Sequence, residues 1–100
     1  MIEKIKENIV KINEIFDEFS KDLHSPYECR KLFNDINDKF GFSFEENPFD
    51  TYVSGISHPN VYGRKATWID FDYSFFREGS KVRYKMNLKV SKRWEYLESL

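Results

Sequence analysis

The chain opens on Ile2, Ile5, Ile9, Ile12, Phe16, Phe19 and Leu23, separated by three and four residues in strict alternation. A helix repeats every 3.6 residues, so this spacing lines all seven along one side of a single helix. The spacing predicts a helix over 2–23. A stripe that long must be covered, either by the rest of the chain or by another protein. Coiled-coil zippers carry patterned charge beside the stripe to set pairing. Here the flanking positions are Lys6, Asn8, Asn13, Ile15, Ser20 and Asp22, with no such pattern. Val10 and Ile15 widen the apolar side. A wide stripe belongs to a helix that covers its own domain.

A second helix is predicted over 26–40. Ser25-Pro26-Tyr27-Glu28 reads as a capping box, with Pro26 at the first helical position. Cys29, Leu32, Phe33, Ile36 and Phe40 recur at helical spacing, and Gly41 is placed to end the helix in a left-handed conformation.

From Phe42 onward the period becomes two. Phe42 and Phe44 flank Ser43, Asn47-Pro48 marks a turn, and a strand is expected over 51–57. His58–Lys65, punctuated by Pro59, Asn60 and Gly63, reads as a loop. Two strands follow, over 67–76 and 81–90. In the first, Ile69, Phe71, Tyr73 and Phe75 share one face, and Trp68, Asp70, Asp72, Ser74 and Phe76 the other. In the second, Val82, Tyr84, Met86, Leu88 and Val90 alternate with Lys81, Arg83, Lys85, Asn87 and Lys89. A turn centred on Glu78-Gly79 pairs Phe75 with Val82, Tyr73 with Tyr84 and Asp72 with Lys85. Apolar residues then meet apolar ones, and an acid meets a base. Ser91 can cap a short helix over about 92–99 carrying Trp94 and Leu97.

The expected fold is therefore α+β. Two N-terminal helices pack on one face of a three- to four-stranded antiparallel sheet, and a short C-terminal helix follows. One hundred residues, 40% of them hydrophobic, suffice for a single domain with a real core. No apolar run approaches a membrane span. The charged start, Glu3, Lys4 and Glu7, is unlike a secretory signal, so the expected location is the cytoplasm. Abundant Ile, Lys, Asn and Phe point to an AT-rich bacterial or phage source. A monomer is expected, with a homodimer through Ile2 and Ile5 as the other option.

The net charge of −1 hides an asymmetry. Residues 1–63 hold seven Lys or Arg against twelve Asp or Glu, and residues 64–100 hold nine against five. The surface is thus expected to be bipolar.

Catalytic signals are sparse. His24 and His58 are the only histidines, and Cys29 falls on the apolar side of the second helix. No nucleophile motif, phosphate-binding loop or zinc spacing accompanies them. Asp70 and Asp72 could bind a divalent cation, but no third ligand is tied to them by spacing. A small metal-dependent enzyme using His58 with Asp70 or Asp72 is the remote reading. No cofactor and no metal are expected.

The outer face of the hairpin carries more information. Lys81, Arg83, Lys85 and Lys89 alternate on one strand and Lys92 and Arg93 follow, while Trp68 and Phe76 lie on the neighbouring strand. Trp, Tyr and Arg are the residue types that anchor protein interfaces. Trp68, Asp70, Asp72, Phe76, Arg83, Lys85 and Lys89, extended by Tyr62 and Val61 and by Tyr52, form the expected partner-binding face. The expected function is a non-enzymatic protein-binding module, such as a stoichiometric inhibitor or immunity-type protein. The alternative is nucleic-acid binding through Arg83, Lys85, Lys89, Lys92 and Arg93, with rings stacking on bases. Asp70 and Asp72 would oppose phosphate in that case.

Overall fold

A computed structural model of the chain describes residues 2–42, 44, 60–61, 64–65 and 69–92. Six elements are present among them. Helices α1 (Ile2–Phe19) and α2 (Pro26–Phe40) come first, followed by strands β1 (Asn60–Val61), β2 (Arg64–Lys65), β3 (Ile69–Glu78) and β4 (Lys81–Val90). The chain divides into two compact units: residues 1–25 with 67–100, and residues 26–66.

In the first unit α1 lies on β4. Ile5, Ile9, Ile12 and Phe16 of the opening stripe are buried, as are Val82, Tyr84, Met86 and Leu88 of β4. Phe16 meets the edge of Phe71 at 6.0 Å, and Phe19 reaches Tyr84 at 5.9 Å. So this part of the stripe faces the interior of the unit, covered by the chain's own hairpin, while Phe19 and Leu23 are half-buried. Val10 does not belong to it; at 58% exposure it lies on the outer side of the helix.

The helix ends at Phe19, four residues before the expected stop. The chain leaves the helix because other donors take over its last carbonyls. The Ser20 hydroxyl donates to the Asp17 carbonyl at 2.8 Å. His24 Nε2 lies 2.9 Å from the Phe19 carbonyl, and the Arg83 guanidinium donates to the carbonyls of Ser20 and Lys21 at 2.9 and 2.7 Å. A carbonyl only accepts, so the His24 bond requires the tautomer with hydrogen on Nε2. His24 then pairs its backbone with Val82 through two reciprocal 2.7 Å bonds.

The hairpin closes through a two-residue loop, Gly79-Ser80, with Gly79 at φ +62°. Two-residue hairpin loops need positive φ at the first position, which glycine adopts without strain. The register therefore differs by two from the expected one. Phe75 faces Tyr84, Tyr73 faces Met86, Phe71 faces Leu88 and Asp72 faces Asn87. A shift of two preserves every residue's face, so the inside and outside of the hairpin are as the alternation predicts.

Among the described residues this sheet has two strands rather than three or four. The far edge of β4 is occupied by something other than a strand. His24 satisfies it at Val82. At Leu88 the Asn13 side chain does so, donating Nδ2–H to the Leu88 carbonyl at 2.8 Å and accepting the Leu88 N–H at 2.7 Å. One asparagine thus reproduces both bonds of a neighbouring strand. The strand expected over 51–57 lies outside the described residues. The helix expected over 92–99 does too, apart from its first residue, Lys92.

The second unit is built around α2. Cys29, Phe33, Ile36 and Phe40 are buried, together with Phe42 and Phe44. Gly41 takes φ +73° and donates to the Asn37 carbonyl, ending the helix as expected. Asn37 repeats the Asn13 device: its side chain accepts the Phe44 N–H at 2.7 Å and donates to the Phe44 carbonyl at 3.0 Å. That clamp holds Phe44 against Phe33, ring centroids 5.3 Å apart. Within the expected 58–65 loop, β1 and β2 pair antiparallel, Asn60 with Lys65 and Val61 with Arg64.

Candidate functional site

The outer face of the β3–β4 hairpin is built by strand alternation. Residues of β4 alternate exposed and buried from Lys81 to Leu88, because every second side chain meets α1. Arg83, Lys85, Asn87 and Lys89 must therefore point away from it. On β3 the same rule sends Asp70, Asp72, Ser74 and Phe76 outward, and all four are exposed. Six of the residues expected at a binding face, Asp70, Asp72, Phe76, Arg83, Lys85 and Lys89, thus share one surface. Trp68, Tyr62, Tyr52 and Arg93 lie outside the described residues, as do Trp94 and His58. Lys92 is exposed just beyond β4.

The register pairs Asp70 with Lys89, Ser74 with Lys85, Phe76 with Arg83 and Glu78 with Lys81. Asp72 is salt-bridged diagonally to Lys89 at 3.3 Å, not to Lys85 as the earlier register required. Both partners are more than half exposed, so water screens the pair and its contribution is small.

Arg83 behaves differently from its neighbours. It stands opposite Phe76, yet its guanidinium reaches round the edge of β4 to the end of α1. It holds the two carbonyls that follow the last residue of α1. With the guanidinium drawn away, the Phe76 ring stays 65% exposed. Phe76 is the one large apolar side chain on this face among the described residues.

A shallow hollow of about 520 Å³ includes Asp72, Ser74, Lys85 and Asn87 in its lining. It holds a hydroxyl, an amine, an amide and a carboxylate, but no histidine. Nothing in that lining is a general base poised on the Ser74 hydroxyl. No three His, Cys, Asp or Glu residues converge to hold a metal among the described residues. His24 is stacked on Phe19, centroids 3.7 Å apart, and held to the helix end, which makes it a structural residue. Cys29 is buried in the second unit.

Two features were not readable beforehand as part of this architecture. Asn13 secures β4 from a position 75 residues away in sequence. The only local signal was a polar residue beside an apolar stripe. Phe71, Tyr73 and Phe75 form a row of rings at 5.9–6.0 Å spacing on the α1 side of β3 and are only half-buried. Helix α1 lies over β4, so it covers that row only in part.

No family model matches this chain, and no curated protein or solved structure is similar to it. Among the described residues, no helix is long and apolar enough to cross a membrane.

Proposed function

We propose that this chain is a small protein-binding module that acts stoichiometrically on a protein partner, in the manner of an inhibitor or immunity-type protein. We take it to be a cytoplasmic monomer of bacterial or phage origin. The observation that carries the reading is the outer face of the hairpin. It is backed by α1 along β4, mixed in charge, and centred at one end on the exposed Phe76. Rigid faces of this kind order few side chains on binding, and a large ring beside charges is a common anchor.

The nucleic-acid reading receives less support from the same face. Lys89 is paired with Asp72, Arg83 is engaged with backbone carbonyls, and Asp70 and Asp72 share the face on which phosphate would lie. Binding through unpaired Lys and Arg is the main source of affinity for nucleic acid.

The test is affinity capture from the source cell, followed by titration of the recovered partner with the wild-type protein and with Phe76→Ala. A 1:1 complex weakened at least tenfold by the substitution is the expected result. Equal affinity of the two forms would overturn the assignment to this face. Arg83 is a poor probe, because its loss also releases the end of α1.

A further inference from the structure

We propose that the turn end of the hairpin's outer face docks a protein surface in which an apolar socket is rimmed by carboxylates. This rests on the binding-module reading above and names the chemistry of the partner. The outer face is not uniform along its length. Its turn end carries Lys81 and Lys85 on either side of Phe76, with Glu78 as the single acid; Arg83 stands across from the ring by register, but its guanidinium is drawn to the carbonyls of Ser20 and Lys21. The opposite end carries Asp70 and Asp72 against Lys89, and there the ion pair forms. Lys81 faces Glu78 and Lys85 has Asp72 on its diagonal, yet neither lysine forms an ion pair among the described residues. The register sets Arg83 directly across from Phe76, which puts Lys81 and Lys85 on its two diagonals, the distance at which cross-strand side chains still touch.

An exposed ring flanked by two lysines has a definite complement. An apolar pocket removes the phenyl group from water, while carboxylates at the pocket's rim meet the ammonium groups without burying them. A basic or neutral rim would leave the two lysines opposed or idle. The rim charges would act mainly on association rate, so binding would weaken as salt is raised.

The experiment uses the full-length protein and three synthetic probes followed by amide chemical shifts. The first is a twelve-residue peptide of leucine and glutamate, the second has lysine in place of glutamate, and the third is a twelve-nucleotide oligothymidine. The acidic peptide is expected to shift amides of 74–85 at low salt and to release in high salt. Phe76→Ala, and separately Lys81→Glu with Lys85→Glu, should each weaken it at least tenfold. Asp70→Asn with Asp72→Asn, which removes two negative charges from the opposite end of the face, should not weaken it. Unchanged amide shifts away from the substitution would show that each variant keeps the fold. Equal binding of the two peptides, tighter binding of the oligonucleotide, or no binding by the acidic peptide would each overturn the proposal. If the acidic peptide fails while a captured partner still depends on Phe76, the binding-module reading stands and the acidic partner falls. If the captured partner is also indifferent to Phe76, both fall.

Discussion

β3 and β4 are two strands of one hairpin with the same alternation, yet they end in different environments. Every inward residue of β4 from Val82 to Leu88 is buried, and its far edge is closed by His24 and Asn13. On β3, only Ile69 is fully buried; Phe71, Tyr73 and Phe75 are half-covered. The difference comes from α1, which lies over β4. A sequence pattern states which side of a strand is apolar. It does not state how far the covering helix extends across the sheet. So β4 is the structural strand of this unit. β3 retains both its half-covered ring row and, on the outer face, Phe76.

The largest expected effect comes from breaking the covered side. Phe16 is 0% exposed and touches the hairpin directly. Phe16→Ala should cost about 3–5 kcal/mol, the usual range for emptying a buried phenylalanine site. Phe75→Ala on β3 should cost roughly half as much, since less area leaves water there. Urea denaturation of both variants checks this, and equal losses would remove the distinction between the strands.

Next is the edge of β4. Asn13→Ala leaves the N–H and the carbonyl of Leu88 with no protein partner on that edge, at a cost of about 1–3 kcal/mol. Amide exchange at Leu88 should accelerate more than at residues of β3. Asn37→Ala is the matching change in the second unit and should expose Phe44 N–H in the same way. If exchange at Leu88 is unaffected by Asn13→Ala, the clamp is not what closes the edge.

These clamps mark where the sequence stopped being legible. The helix over 26–40 and the strand over 81–90 could be read from period and caps alone, because both signals are local. The inside–outside assignment of the hairpin survived a wrong register, because a two-residue slip leaves the alternation unchanged. The register itself was misplaced because an Asp72–Lys85 pair looked as good on paper as the diagonal Asp72–Lys89 bridge that forms. The true discriminator was Gly79 at the first loop position. The end of α1 was missed for a different reason. Leu23 continues the stripe, but Arg83 and His24 draw the chain out of the helix, and Arg83 is more than sixty positions away. The same long-range bonds changed the candidate site. Arg83 is expected at the binding face by residue type, and its guanidinium donates to the carbonyls of Ser20 and Lys21. Asp70, Asp72, Phe76, Lys85 and Lys89 remain on the face where alternation put them.

Arg83→Ala tests that reassignment. Losing its two bonds to the end of α1 should lower stability by about 1–2 kcal/mol, less than the Asn13 change at most, because the site is exposed and water replaces part of the bonding. Amide exchange should rise at the end of α1 and near His24, while the β3–β4 pairing stays protected. A variant with unchanged exchange there would return Arg83 to the outer face as a binding residue.

The smallest effect belongs to the solvent side of the same helix end, where Lys21 and Glu18 meet at 2.9 Å with both side chains largely exposed. The hydrogen bond that the Lys21 ammonium donates to Glu18, and then the charge of Glu18, hold that ammonium above its ordinary value of 10.5. A group raised on folding stabilises the folded state below its unfolded value and loses that effect as pH climbs through the folded one. So the Lys21 contribution is constant through neutral pH and is lost in strong alkali. Lys21→Gln should shift the urea midpoint less than any change above, and high salt should erase the difference. A difference that grew with salt or with pH would mean that Lys21 acts through packing at the end of α1. The solvent side of that helix end would then be as structural as the side facing β4.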